Sequence, residues 1–245
     1  MTIPPRRTFD SVDQRWQIRI TDDGSPTLVD RISGDSMHSG CGAWGETQHV
    51  YLRNSGIEER LRNGTPSRVL EVGLGSGMGC LMTAEFAESA GVNVQYVALE
   101  RMLPPSSLVR QLDFASLGIS AAIIEDFCRL LDEAQVGVSN NALHRSRLAS
   151  RCELAIHVGD ALQWKAGDEL AFDAIYFDPY SPESNAQLWD EPFLSKMHGV
   201  LASGGRLVTY CVNRRVRDRL TNVGFEVQRV RGPAGGKREV LIAIK

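Results

Sequence analysis

Four acidic side chains follow apolar runs or sit among glycines, and each is of a type that can hold a polar ligand. Glu71 opens the run Glu71-Val-Gly73-Leu-Gly75-Ser-Gly77. Glycines at that spacing let a backbone turn tightly and approach a ligand closely. Dinucleotide loops use a similar spacing, and what sets this run apart is the acid two residues before the first glycine. Glu100 closes the apolar run Val94–Leu99, and a carboxylate so placed accepts both hydroxyls of a ribose. Gly159-Asp160-Ala161 follows a third apolar run, and Asp178-Pro179-Tyr180-Ser-Pro182 follows a fourth. A carboxylate at Asp178 can hold an attacking amine, and the Tyr180 ring can stack on a base. Singly, each acid reads as a surface or capping residue. Together, at successive strand ends, they read as one ligand-binding edge.

Such an edge needs a scaffold that gathers strand ends. Arg68–Val72, Val94–Leu99, Leu154–Val158, Phe172–Phe177 and Arg206–Cys211 read as buried strands. Cys80–Ser89, Ser106–Leu117, Ser120–Leu131, Asn185–Leu201 and Arg214–Asn222 read as helices, with Gly204-Gly205 as a helix stop. The alternation predicts an α/β fold, a mainly parallel sheet with helices on both faces. Phe225–Val230 and Glu239–Ile244 are expected to close it as a C-terminal antiparallel hairpin. Upstream, Trp16–Ile20 and Pro26–Val29 flank the turn Asp22-Asp23-Gly24-Ser25, which predicts a small N-terminal β-hairpin. Residues 1–15 read as a loose leader, Ser36–Glu46 as a loop and His49–Leu61 as a helix. The expected division is an extension over residues 1–62 and an α/β domain over residues 63–245. Residues 132–153 show no readable pattern and are expected to be an insertion.

The chain has 245 residues, 42% of them hydrophobic and 23% charged, which suits a sizeable core and argues against global disorder. No stretch approaches the ~20 apolar residues of a membrane span. The start, MTIPPRRTFD, has no apolar run behind its arginines, so a cytoplasmic protein is expected. Cys41, Cys80, Cys128, Cys152 and Cys211 are scattered, and the five histidines form no H-x-x-x-H pair. Reduced thiols and no bound metal are therefore expected. The net charge of −3 hides an asymmetry, because Arg206–Lys245 carries ten Lys/Arg against three Asp/Glu. A basic end on an acidic body is either a site for a polyanion or a solvated helix face over Asn213–Leu220.

The Glu-x-Gly-x-Gly-x-Gly run resembles the S-adenosylmethionine (SAM) loop of class I methyltransferases. Read in order from about Trp16 to Lys245, the chain resembles the methyltransferase part of the MnmC family, which also occurs as a stand-alone MnmD form. Gly45-Glu46-Thr47 before Val50-Tyr51-Leu52 matches the family's Glu-Thr-x-x-Val-Phe element. Asp178, Tyr180 and Pro182 match its Asp-x-aromatic-x-Pro loop, with Trp189 downstream. Gly236-Lys237-Arg238-Glu239 matches its Gly-x-Lys-Arg-Glu-Met tail apart from the spacing residue. The resemblance implies a Rossmann-like class I SAM-methyltransferase sheet, with Glu71, Gly73, Gly75, Gly77, Glu100, Asp160 and Ala161 around SAM. It implies Asp178 as the catalytic group that orients an amine and receives its proton. It places Glu46, Pro179, Tyr180, Lys237 and Arg238 on the substrate, 5-aminomethyl-2-thiouridine at the wobble position of tRNA, with Arg214, Arg215, Lys237 and Arg238 on its phosphates. Bifunctional members add an FAD-binding oxidase domain; no second dinucleotide loop is present, so methylation alone is expected. The chain departs from the family pattern at Pro179, usually Gly or Ala, at Val240, usually Met, and in a longer insertion near residues 119–151. Alternatives are an aminopropyltransferase, whose Gly-Gly-Gly-Asp-Gly loop this chain lacks, a small-molecule amine methyltransferase, and a non-catalytic SAM- or RNA-binding module.

Overall fold

The computed structural model describes residues 6–136, 142–166 and 171–245. A three-stranded antiparallel sheet comes first: β1 (Thr8–Asp10), β2 (Trp16–Ile20) and β3 (Pro26–Asp30). Trp16 and Ile18 alternate into the core as a half-buried strand should, and Gly24 makes the turn at φ 85°. β1 is a correction to the loose leader. All three of its residues are exposed, so pairing to β2 and the Asp10–Arg31 ion pair hold it, and no apolar period marks it. The expected loop to Glu46 ends earlier, in the short helix α1 (Ala43–Thr47). A π-helical turn, Gln48–Arg53, follows directly, closed by Asn54 N–H donating to the His49 carbonyl at 3.2 Å. Gly56, at φ 84°, then breaks the chain before α2 (Ile57–Arg62). The single helix expected over His49–Leu61 is therefore two pieces.

The main sheet is built from β4 (Ser67–Val72), β5 (Val94–Glu100), β6 (Ala142–Leu148), β7 (Cys152–Val158), β8 (Phe172–Phe177), β9 (Leu201–Thr209), β10 (Glu226–Arg231) and β11 (Glu239–Ile244). Their spatial order is β10-β11-β9-β8-β4-β5-β7-β6. The centre is parallel, β11 runs antiparallel between β9 and β10, and β6 pairs antiparallel with β7 at the far edge. β6 lies in the stretch expected to be an insertion, where residues 137–141 fall outside the described residues. Its Ala-Leu-His-Arg-Ser-Arg-Leu alternates in exposure, but charged side chains occupy the alternate positions and hide the pattern. Gly204 and Gly205 do not stop a helix. They fall inside β9, where the register against β8 slips between Phe172 and Ala174.

Helices α3 (Met78–Ala90), α4 (Ser106–Gln111) and α5 (Ala121–Val136) pack on one face, and α6 (Glu191–Val200) and α7 (Arg214–Asn222) on the other. Successive strand residues divide between the faces. Val69, Tyr96, Ala174, Tyr176 and Val208 enter the α3 side, while Leu70, Val72, Ile175, Phe177 and Leu207 enter the α6 side. Each fully buried side chain of this size contributes about 1.5–3 kcal/mol, so both faces hold the strand ends rigidly. The helix expected over Asn185–Leu201 is a 3-10 turn, Ala186–Trp189, followed by α6. Ser106–Leu117 similarly ends α4 at Gln111, with a 3-10 turn at Phe114–Leu117.

Candidate active site

β8, β4 and β5 lie side by side, and Glu71 of β4 is paired across to Tyr176 of β8 and Ala98 of β5. Side chains alternate along each strand. Glu71, Tyr96, Glu100, Tyr176 and Asp178 therefore all rise on the α3 face, with Glu100 and Asp178 at its upper rim. Gly73 stands at φ 92°, and a Cβ there would lie 2.5 Å from the Asp178 carbonyl oxygen. The glycine loop thus presses on the main chain of the Asp178 loop, and only a residue without a side chain fits between them. Gly75 N–H donates to Glu100 Oε2 at 3.1 Å, and Met102 N–H donates to Oε1 at 2.9 Å. Burial raises the Glu100 carboxyl above its ordinary value, and these backbone donors resist the rise.

Glu71 is 4% exposed. A Cβ at Gly79 would lie 2.6 Å from its Oε1 and 3.5 Å from the Tyr96 hydroxyl, so the bare first turn of α3 makes room for both groups. Glu71 Oε2 has no hydrogen-bond partner, while the Tyr96 hydroxyl lies against the same carboxyl. A buried polar group left unpaired costs about 1–3 kcal/mol, and a ligand donor would remove that cost. Burial pushes the Glu71 carboxyl well above the usual carboxylate range; the Tyr96 hydroxyl opposes the rise, and the nearby charges of Asp178 and Glu100 add to it.

Asp178 N–H donates to the Val72 carbonyl at 3.0 Å, which fixes the residue at the end of β8. The Tyr51 hydroxyl, from the π-helical turn, donates to Asp178 Oδ1. Burial pushes Asp178 up to about 8 against the opposing Tyr51 hydrogen bond; Glu46 adds to the rise and Lys237 resists it. Glu46, 7% exposed, accepts from Ser39 N–H at 3.0 Å through Oε2. Asp23 Oδ2 accepts from Gly45 N–H at 2.9 Å and ties α1 to the turn after β2. The N-terminal segment therefore closes one side of the rim.

The Asp178–Pro182 loop is pinned by two aromatic residues. The Tyr210 hydroxyl donates to the Pro179 carbonyl at 3.1 Å, and Trp189 Nε1 donates to the Tyr180 carbonyl at 2.8 Å. Pro179 is buried, while the Tyr180 ring is 48% exposed at the mouth. Lys237 Nζ sits 3.8 Å from the centroid of the Tyr210 ring, within reach of Asp178 by charge. Lys237 is itself exposed, and its contact with the Tyr210 ring brings its charge beside the rim. Arg238, Arg214 and Arg215 are exposed. Asp160 is exposed as well and caps the turn Ala161–Gln163, accepting from Leu162 N–H at 3.0 Å. It touches none of the other three acids. It lies two residues beyond Val158, the register partner of Glu100, and so on the same rim.

Tyr51 and Tyr210 were not legible as site residues. Tyr51 belongs to an apolar triplet and Tyr210 to a buried strand, and only tertiary contact turns their hydroxyls to the Asp178 loop. Two open cavities lie elsewhere, one of about 320 Å³ beside Gln95 and Arg147 and one of about 280 Å³ between the small sheet and α4. Arg147 and Arg151 beside the first are exposed and paired with Glu153 and Asn93. Neither cavity gathers buried titratable groups as the rim does. Among the described residues, no three His, Cys, Asp or Glu side chains are grouped to hold a metal. No described helix is long and apolar enough to cross a membrane.

Residues 129–245 match the family described as S-adenosyl-L-methionine-dependent methyltransferase. The bifunctional protein MnmC of Azoarcus sp. strain BH72, named for tRNA 5-methylaminomethyl-2-thiouridine biosynthesis, is 30% identical over 227 residues, 91% of this chain and 34% of its own length. Its namesake in Chromobacterium violaceum is 29% identical over 233 residues, 92% of this chain and 33% of its own length. The chain thus spans about a third of the length of the curated relatives it matches. The crystal structure of MNMC2 from Aquifex aeolicus superposes with a TM-score of 0.73 at 26% identity, covering 96% of this chain and 71% of that one.

Proposed function

We propose that this chain, which belongs with the S-adenosyl-L-methionine-dependent methyltransferases, methylates the primary amine of 5-aminomethyl-2-thiouridine at the wobble position of tRNA. The observation that carries the reading is the contact between Gly73 and the Asp178 main chain. It sets the acid that would hold the amine directly against the loop that would hold the cofactor. The names of the MnmC relatives support the choice of acceptor. The reading extends to a cytoplasmic protein in which residues 1–62 close over a methyltransferase domain of residues 63–245.

The residues fit SAM. The unpartnered Glu71 Oε2 suits the ammonium of its amino acid part. Glu100 stands at the strand end where ribose hydroxyls would be held, its carboxylate oriented by backbone donors, and the glycine loop leaves its backbone bare. Asp160 and Ala161 stand at the β7 end of the rim, on the adenine side. When bound, SAM supplies an electrophilic methyl group on a sulfonium.

The chain's own residues do the rest. An alkyl amine has an ordinary pKa near ~10.4, so at neutral pH roughly one molecule in a few thousand is free base. Asp178 orients the amine and takes its proton, and it must be ionised to do so. Positioning is worth up to ~7–11 kcal/mol, against about 10²–10⁴-fold for general-base help, so positioning is the larger effect. The loop that supplies it is pinned by Tyr210 and Trp189. Tyr180 walls the acceptor base, and Glu46 closes the N-terminal side. Arg238, Arg214 and Arg215 hold phosphates.

The test is incubation with labelled SAM and bulk tRNA from a strain lacking the wobble methylation, followed by nucleoside analysis. Label in 5-methylaminomethyl-2-thiouridine is expected. Label only in added small amines, with none in tRNA, would replace this reading with a small-molecule methyltransferase.

A further inference from the structure

Tyr51 is 3% exposed, and its ring packs 5.6 Å from that of Tyr176. Its hydroxyl is aimed at one atom, Asp178 Oδ1. The element that carries it is a π-helical turn locked between α1 and α2, so the phenol has little freedom to turn away. A phenol also stands here where the family element has phenylalanine, so packing alone does not require the hydroxyl. We infer that Tyr51 is a positioning residue for Asp178: its hydroxyl holds Oδ1, leaving Oδ2 as the oxygen that takes the proton of the acceptor amine. This rests on the proposed amine methylation.

The charges around Asp178 frame the inference. Glu46 faces it from α1, Glu71 from β4, Tyr210 from the end of β9, and Lys237 from the loop between β10 and β11. Among the described residues, Tyr51 is the side chain that donates a hydrogen bond to its carboxyl. As the amine nitrogen bonds to the methyl carbon, the carbon–sulfur bond breaks with its electron pair on sulfur. The surplus proton on nitrogen passes to Oδ2. The phenol keeps its own proton throughout, because burial and the Asp178 charge push Tyr51 well above its ordinary value. Its donation to a charged oxygen favours the ionised carboxylate.

Removing the donor should therefore make Asp178 harder to ionise. A hydrogen bond to a charged acceptor corresponds to about one to two pH units. In Tyr51→Phe, the rising limb of kcat/KM against pH should move up by that amount. The loss at pH 7 should be about tenfold or more and should recover above the limb, with SAM affinity unchanged. Site-specific 3-fluorotyrosine at position 51, a stronger donor of nearly the same shape, should move the limb down. The second measurement needs no acceptor. The Asp178 carboxyl carbon, assigned by its loss in Asp178→Asn, is titrated by NMR in wild type and Tyr51→Phe. A higher midpoint in Tyr51→Phe is expected, and an unchanged midpoint or an unmoved limb overturns the inference. If wild type methylates no amine while the midpoint still moves, the functional reading fails and the Tyr51–Asp178 coupling stands.

Discussion

Asp178 and Glu71 are carboxyls that burial forces upward, and such a group stores instability that binding or chemistry can use. Folding pushes the Asp178 carboxyl from its ordinary 3.8 up to about 8. Below pH 3.8 both states are protonated and the group is neutral toward stability. Between those values the unfolded chain is ionised while the folded one holds its proton, so stability falls as pH rises. Above pH 8 the loss is complete and constant. Asp178→Asn, which mimics the protonated form, should thus raise Tm by an amount that grows from about pH 4 to pH 8 and then levels off. A gain of about 1–2 kcal/mol at neutral pH corresponds to roughly 2–8 °C for a chain of this size. Thermal unfolding across that pH range checks it, and a Tm difference flat with pH would show that Asp178 is ionised at little cost. Glu100 and Asp178 were legible in the sequence because each ends or follows an apolar strand, and Glu71 because it stands two residues before the first glycine of the loop; strand parity then places them on one face. Tyr51 was not, because its partner lies 127 residues away and nothing local records where the N-terminal segment docks.

At the scale of elements, the Asp178–Pro182 loop is rigid because neighbours outside the loop hold its carbonyls. Trp189, from the 3-10 turn before α6, packs edge-on against Phe177 at 4.9 Å and donates to the Tyr180 carbonyl. Trp189→Phe keeps most of the apolar contact and removes the donor. It should raise KM for the acceptor several-fold, leave SAM affinity unchanged, and cost about 1 kcal/mol of stability. Steady-state kinetics beside cofactor titration separates these, and equal losses for both ligands would mean that the turn supports the whole rim. The central strands and the final hairpin were readable because parallel, doubly buried strands are continuous apolar runs. β6 was not, since an edge strand with Arg145 and Arg147 on its exposed positions carries the charges that keep edges from pairing with other chains. The π-helical turn was also hidden, because the helical period of His49–Leu61 does not report the register change that sets Tyr51.

Over the whole molecule, the basic C-terminal part divides into two populations. Lys237, Arg214, Arg215 and Arg238 are all exposed, and Lys237 is the one that lies on the Tyr210 ring with its charge coupled to Asp178. Alanine at each exposed arginine should weaken tRNA binding and lower the slope of log K against log salt by about 0.7–0.9 per lost phosphate contact. Lys237→Ala should leave the slope unchanged and instead move the pH dependence of turnover upward, because a nearby cation favours the ionised carboxylate. Binding titrations at several salt concentrations check both, and a flattened slope for Lys237→Ala would return that residue to the phosphate-binding set.

The assignment of Asp178 to the transferred group can be settled by one comparison. Wild type and Asp178→Asn are each saturated with labelled SAM, with occupancy verified by direct titration, and mixed with undermethylated tRNA for a single turnover. Equal SAM occupancy is expected, with transfer in the variant slower by about 10²-fold or more. Equal transfer rates at equal occupancy would contradict the role given to Asp178, and with it the reading of this rim as the place where the methyl group moves.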